Sequence, residues 1–275
     1  IDQQVQPYDM EPLDDLNSDG IGEVAVSVGH KIISIDGDTG DILWRVGHNY
    51  PFWNLTMLDE TLFAGSQDGY LYSLDISSGD KKFKKKLAES FDHPHTGEIP
   101  RSIWSIVPVQ SSNSVLLAVS TEDGKVYQVR PEDGEIVWSK KIIEYNREML
   151  KNYYFGFGGG WGGNPPATMP GDSNFFNIEL EEIEDATGDQ TQDIIVGVNP
   201  NNNSRGRNYQ GGTGGLYLLN GKTGETGWKN KAVEISDAGK VVCVSKTGGR
   251  SLLIPSSQNR QRSISVLDIS SGSVE

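Results

Sequence analysis

Apolar and polar positions alternate along most of the chain in short runs, such as Ile33-Ser34-Ile35 and Tyr72-Ser73-Leu74, and turn residues separate the runs. A period of two predicts half-buried β-strands, and nothing sustains the longer period of an extended helix. One phrase recurs along the chain. It runs Ile33-Ser34-Ile35-Asp36-Gly37-Asp38-Thr39-Gly40-Asp41-Ile42-Leu43-Trp44, and returns as Tyr72 to Phe83, Tyr127 to Trp138 and Tyr217 to Trp228. A fifth copy begins at Ser265 and reaches Gly272. In the four longer copies the turn glycine stands 4 residues before a large aromatic: Gly40 and Trp44, Gly79 and Phe83, Gly134 and Trp138, Gly224 and Trp228.

Each phrase predicts a β-hairpin, with glycine supplying the left-handed turn residue. Asp68-Gly69 and Asp123-Gly124 mark a further hairpin 10 residues before the turn glycines Gly79 and Gly134. A repeat therefore holds about four short antiparallel strands, which is the sequence signature of a propeller blade. The predicted fold is an all-β propeller of four-stranded antiparallel blades, about five of them visible, forming one domain or a fragment of one over residues 1–275. The fifth phrase would place its aromatic one residue past Glu275, so the chain reads as part of a larger ring. Successive turn glycines lie 39, 55, 90 and 48 residues apart. The longest gap predicts an insertion between blades over 145–175, made of a short helix and a Gly/Pro-rich loop. A second polar loop, 199–215, interrupts the fourth blade.

Charge narrows the partners. The chain carries 24 Lys and Arg against 38 Asp and Glu, a formal net charge of −14. Such acidity excludes nucleic acid as a partner and disfavours anionic lipid. No apolar run approaches the ~20 residues of a membrane helix, so no membrane insertion is expected in this segment. The single Cys243 excludes an internal disulfide.

The phrase apolar-x-apolar-Asp-x-x-Thr-Gly-x-x-x-Trp resembles the repeat of the PQQ-like propellers, a group that includes quinoprotein dehydrogenases, an envelope assembly lipoprotein and lumenal sensor domains. The resemblance implies that Trp44, Trp138 and Trp228, with Phe83 in the equivalent slot, dock on neighbouring blades. It carries no activity with it. Quinoprotein dehydrogenases hold their cofactor against an adjacent-cysteine disulfide, which one cysteine cannot form, so no PQQ is expected and no catalytic residue is assigned.

A second pattern overlies the first. Asp15-Leu16-Asn17-Ser18-Asp19-Gly20-Ile21-Gly22-Glu23 precedes a strand and resembles the calcium loops of FG-GAP propellers, as in integrin α chains. Oxygen groups at positions 1, 3, 5 and 9 suit a hard cation. The resemblance implies Asp15, Asn17, Asp19 and Glu23 as side-chain ligands and Ile21 as a carbonyl ligand. A weaker copy spans 185–193, with Asp185, Asp189 and Asp193 matching, Thr187 at the third position and Gln192 in the carbonyl role. Ca²⁺ is the expected cofactor, one ion in the first loop and a second in the weaker one.

The aromatics Tyr153, Tyr154, Phe155, Phe157 and Trp161 in the insertion form a candidate recognition surface or pack the insertion onto the propeller. Asn54 and Asn202 begin Asn-x-Ser/Thr triplets and are glycosylation candidates in an exported protein. The combined reading is a non-enzymatic, Ca²⁺-stabilised propeller, extracellular, on the cell surface, periplasmic or ER-lumenal. It would bind a protein or glycan within a larger assembly. Two alternatives stand beside it: an enzyme, polysaccharide-active or quinoprotein-like, with catalytic groups outside this segment, and a structural subunit of a surface layer or filament.

Overall fold

The computed structural model describes residues 7–93, 97–143, 176–200, 214–231, 242–246, 249–258 and 261–274. Those residues form twenty-one strands and no helix. The first blade is β1 (Pro7–Pro12), β2 (Val24–Val28), β3 (Lys31–Ile35) and β4 (Ile42–Gly47), hydrogen-bonded in that order. The second is β5 (Phe52–Leu58), β6 (Thr61–Ser66), β7 (Tyr70–Asp75) and β8 (Lys81–Lys86). A two-stranded hairpin, β9 (Phe91–His93) with β10 (Gly97–Ile99), follows. The third blade is β11 (Ile103–Gln110), β12 (Val115–Thr121), β13 (Lys125–Val129) and β14 (Ile136–Lys141). The fourth is β15 (Phe176–Ile183), β16 (Asp193–Pro200), β17 (Gly215–Leu219) and β18 (Thr226–Asn230). A three-stranded sheet closes the series: β19 (Val242–Lys246), β20 (Gly249–Gln258) and β21 (Gln261–Asp268). All neighbouring strands within these sheets run antiparallel.

The predicted hairpins are present, and their turn glycines adopt the left-handed region: φ is +75° at Gly40, +74° at Gly79, +70° at Gly134, +72° at Gly224 and +67° at Gly272. The turn's first residue caps the turn with its side chain. Asp36 Oδ1 accepts from the N–H groups of Asp38 and Thr39, and Asn220 Oδ1 accepts from those of Lys222 and Thr223.

Burial corrects one expectation. The alternating runs predicted strands with one wet face, yet β7 is buried at Leu71, Tyr72, Ser73 and Leu74 alike, and β17 throughout. The reason is that blades stack on both faces of a sheet. The core accordingly divides into four layers between five successive sheets. One joins Ile32 and Trp44 to Phe52, Leu62 and Leu74, and another joins Phe63 and Leu71 to Ile103, Leu117 and Val129. The remaining two lie between the third and fourth blades and between the fourth blade and the last sheet.

The outer strand of each full blade supplies the interlock. A register shift between Ser34 and Ile35 leaves Leu43 bulged and turns Trp44 towards the next blade. The same shift recurs in β8, β14 and β18. Trp44 Nε1 donates to the Ile76 carbonyl at 2.7 Å, Trp138 Nε1 to Gly221 at 3.2 Å, and Trp228 Nε1 to Ile269 at 2.7 Å. Each ring rests on the turn glycine of the following repeat. A Cβ at Gly79 would lie 2.7 Å from Trp44, at Gly134 2.8 Å from Phe83, at Gly224 2.7 Å from Trp138 and at Gly272 2.4 Å from Trp228. The expected docking of these aromatics on neighbouring blades is thus observed. Its cause is double: glycine is required for the backbone turn and for the space the ring occupies.

The predicted insertion at 145–175 lies outside the described residues, as does most of the 199–215 loop.

Candidate functional site

Strand direction sorts the connections onto two faces. The loops 13–23 and 184–192 and the turns 36–41 and 220–225 share one end of the blades. The links between blades and the turns 29–30, 67–69 and 122–124 share the other.

On the first of these faces the two acidic loops are closed by their own hydrogen bonds. Asp15 accepts from the N–H groups of Ser18, Asp19 and Gly20, and Asp19 Oδ1 accepts from Ile21. Asn17 Oδ1 accepts from the Asp19 N–H. Glu23 is 1 % exposed; its Oε2 accepts from Leu16 N–H at 2.7 Å, while its Oε1 is buried without a hydrogen-bond partner. The Ile21 side chain is exposed. In the second loop Asp185 accepts from Gly188, Asp189 and Gln190. Burial raises the Asp185 pKa, but these N–H groups outweigh it and hold the carboxyl below its ordinary value. Asp193, fully buried, takes Ala186 N–H and Thr187 N–H on Oδ2, and Thr187 Oγ1 and Gly221 N–H on Oδ1. Burial nonetheless pushes its pKa up.

The two sets of candidate metal ligands are therefore each gathered into one loop, but their carboxylates are turned to backbone N–H groups. Among the described residues no three His, Cys, Asp or Glu side chains converge on one point. Gln192 departs from its expected role. Its carbonyl oxygen packs against the turn, 1.8 Å from where a Gly221 Cβ would stand, and its side chain accepts from Gln110 N–H. In register with the first loop, Thr191 rather than Gln192 occupies the position of Ile21.

The opposite face carries a feature that the repeat phrase did not signal. The innermost strands β1, β5 and β11 each begin with a bulge, and the bulged residues are Tyr8, Trp53 and Trp104. A bulge re-aims a side chain and is common beside functional sites. Here the three rings form a row across three blades. Tyr8 and Trp53 centroids are 4.6 Å apart, and Trp53 and Trp104 centroids 5.8 Å apart. Tyr8 is exposed, the two tryptophans are half-buried, and Met10, two residues along the strand from Tyr8, is exposed. Both indole N–H groups are buried and unpartnered, an arrangement that costs stability and marks a strained or working site.

The residue after each ring staples the inner strands together. Asp9 Oδ2 accepts from Leu55 N–H, Asn54 Oδ1 from Ile106 N–H, and Ser105 Oγ from Leu180 N–H. Asn54 also donates from Nδ2 to Asp9 at 3.0 Å. Both ends of this glycosylation candidate's amide are thus committed inside the fold, and Asn202 lies outside the described residues, as do Tyr153, Tyr154, Phe155, Phe157 and Trp161. The same end of the blades also carries polar clusters. Tyr72 Oη donates to Asp68 and meets His48 Nε2, each at 2.8 Å, and burial followed by Asp68 raises the tyrosine pKa. Glu122 is buried beside Arg101 and accepts from Ser102 N–H; burial pushes its pKa up to about 7.

Residues 18–150, just under half of the chain, match the family model described as outer membrane protein assembly factor BamB. The fold is a β-propeller of PQQ-like repeats. No curated protein matches the sequence. Among solved structures, the yeast Saccharomyces cerevisiae Sqt1 superposes with a TM-score of 0.62 at 15% identity, over 97% of this chain and 60% of that one. A europium-containing methanol dehydrogenase gives 0.58 at 15% identity, over 92% of this chain and 48% of that chain. Quinohemoprotein alcohol dehydrogenase from Comamonas testosteroni gives 0.56 at 15% identity, over 93% and 41%. The chain thus spans roughly two- to three-fifths of the length of these structures, and at such identity the likeness is one of fold.

Proposed function

We propose that this chain is a non-catalytic propeller of the cell envelope or exterior that binds a protein partner and is stabilised by Ca²⁺. The observation that carries the binding role is the row Tyr8–Trp53–Trp104. Three consecutive blades bulge at the same register to present aromatic rings on one face, and aromatic side chains partly open to solvent are the residue types that anchor interfaces. The row lies on the face where the chain passes from blade to blade, so the longer connections also depart from it. The match of residues 18–150 to an outer-membrane assembly factor model supports the envelope location. A glycan partner has no comparable support, although stacked rings suit sugars as well.

The calcium role rests on the first loop. Glu23 Oε1 is a buried carboxylate oxygen with no partner, at the end of the loop that carries Asp15, Asn17 and Asp19. The donor set is all oxygen, which fits a hard cation. Asp15, Asn17, Asp19, Glu23 and the Ile21 carbonyl would hold the ion. When bound it would neutralise the loop's carboxylates and fix the loop against the blade. The second loop would hold one more weakly through Asp185, Thr187, Asp189, Asp193 and a backbone carbonyl.

The test is affinity capture from an envelope extract with wild type and with the Trp53→Ala/Trp104→Ala double variant, each shown by its melting curve to be folded. The reading predicts a discrete partner set retained by wild type and lost by the variant. Equal capture by both sinks the proposed face.

A further inference from the structure

The outermost strand of the second blade differs from its three counterparts. β8 reads Lys81-Lys82-Phe83-Lys84-Lys85-Lys86, five lysines in six positions, in a chain whose formal net charge is −14. Among the described residues it hydrogen-bonds to β7 alone, so it is the edge of its sheet. An edge strand turns alternate N–H and C=O groups outward, where another chain can add to it. Lysine on an edge also keeps strands apart, and the equivalent strands show how much of it that task takes. β4 carries only Arg45 while exposing Ile42 and Leu43, and β18 carries only Lys229. β14 carries Lys140 and Lys141. Protection of the edge therefore does not account for the five lysines of β8.

These lysines project to both sides of the strand. Lys81, Lys84 and Lys86 stand opposite Leu74, Tyr72 and Tyr70, on the side of the first blade. Lys84 Nζ lies 4.7 Å from the Tyr70 ring centroid and Lys81 Nζ 5.8 Å from that of Tyr72, so a ring underlies each ammonium group. Lys85 turns the other way, its Cβ 3.2 Å from where a Gly134 Cβ would stand in the third blade. Lys82 is the bulged residue, and its ammonium group is committed inside its own blade. It donates to the Glu60 carbonyl and to Thr61 Oγ1 and pairs with Asp75 at 3.5 Å. Lys86 pairs with Glu98 at 3.7 Å, both side chains being open to solvent. Such a pair holds little energy and yields readily to a competing carboxylate. Among the described residues no carboxylate forms an ion pair with Lys81, Lys84 or Lys85. The acidic fold thus leaves positive charge on both sides of one unpaired edge.

We propose that β8 is a docking edge for an extended acidic segment of a partner protein, which adds to the second blade as a fifth strand. Main-chain hydrogen bonds to the open edge set its register, as in other cases of strand addition. Asp and Glu side chains of the incoming strand then meet Lys81, Lys84 and Lys86 on one side and Lys85 on the other. A nucleic acid or a sulfated glycan matches the charge but has no peptide groups to pair with the edge, so the geometry favours a polypeptide. This surface is on the outermost strand, whereas the aromatic row is on the innermost ones, and neither reading depends on the other.

The experiment is fluorescence anisotropy of the full chain with a labelled extended peptide that alternates Glu with Thr or Val, at physiological ionic strength. Two control peptides carry Lys in place of Glu, or the same acidic sequence N-methylated at alternate residues so that charge is kept and strand pairing is lost. The protein variants are Lys81→Gln/Lys84→Gln/Lys86→Gln and Lys140→Gln/Lys141→Gln, each shown by its melting curve to be folded. Expected is binding of the acidic peptide by wild type and, unchanged, by Lys140→Gln/Lys141→Gln. Binding at least tenfold weaker is expected for the triple variant and for both control peptides. No binding of the acidic peptide, or equal binding by wild type and the triple variant, overturns the site. Equal binding of the N-methylated peptide, or tighter binding of oligo-dT or a heparin fragment, reveals a general polyanion surface and overturns strand addition. Lysine-dependent dimers in sedimentation, with no peptide bound, overturn the partner in favour of a second copy of this chain. The control peptides act on wild type, so the test holds even if the triple variant fails to fold.

Discussion

Replacing the turn glycine of one repeat by alanine separates two requirements that coincide in the native chain. Gly40 and Gly79 occupy equivalent turns with φ of +75° and +74°. A Cβ at Gly40 meets nothing within 4 Å, whereas one at Gly79 would stand 2.7 Å from Cε3 of Trp44 and 3.0 Å from Val46. Both substitutions carry the cost of an L-residue in the left-handed region, about 1–2 kcal/mol. Only Gly79→Ala adds overpacking, typically about 1–3 kcal/mol. The indole cannot simply swing away, because it is buried and its Nε1 is held by the Ile76 carbonyl. Urea unfolding of the two variants should therefore place Gly79→Ala about 1–3 kcal/mol below Gly40→Ala. Gly224→Ala, whose Cβ would meet Trp138 at 2.7 Å, should behave like Gly79→Ala. Equal losses at Gly40 and Gly79 would refute the claim that aromatic-on-glycine contacts join the blades.

Other expectations follow from the same structure. Asn54→Ala leaves the Ile106 N–H without its acceptor and removes one of the two hydrogen bonds to Asp9 Oδ2, and should cost about 1–3 kcal/mol in denaturant unfolding. Glu122, with its folded pKa raised to about 7, contributes stability fully below the unfolded value of 4.5 and loses it as pH rises through about 7. Melting temperature should therefore fall between pH 5 and 8 in wild type, and less so in Glu122→Gln. Millimolar Ca²⁺ should raise the melting temperature relative to EDTA, by roughly 2.7 kcal/mol of stability at a hundredfold excess over Kd, and Asp19→Ala should remove most of that response. Superimposable curves with Ca²⁺ and EDTA would leave the first loop as an ordinary acidic turn.

The parts of the fold that depend on local spacing were legible in the sequence. Asp-x-x-Thr-Gly-x-x-x-Trp encodes a capped turn, a left-handed glycine and an outer-strand aromatic, all within one hairpin. Its partner contact, Trp44 on Gly79, is non-local, yet the repeat itself places equivalent residues one blade apart. The burial of both strand faces was not legible, because Ser73 and Ser34 are polar and are buried only by stacking of neighbouring sheets. Nor were the ties between loop and turn, in which Asn17 Nδ2 donates to Asp36 in the first blade and Asn220 Nδ2 donates to Asp189 in the fourth, because they join residues far apart in sequence. The aromatic row has a sequence signal of its own, outside the repeat phrase. Tyr8-Asp9, Trp53-Asn54 and Trp104-Ser105 each pair an aromatic with a short polar residue at the start of a blade's first strand. The polar member forms the staple and the aromatic is thrown out by the bulge.

The role of that row is the centre of the functional account, and hydroxyl-radical footprinting of the captured complex tests it most directly. The account predicts that partner binding protects Tyr8, Met10, Trp53 and Trp104, while the exposed Ile42, Leu43, Ile136 and Val137 of the outer strands keep their reactivity. Protection confined to those outer strands or to the acidic loops, with the aromatic row as reactive as in the free protein, would contradict it.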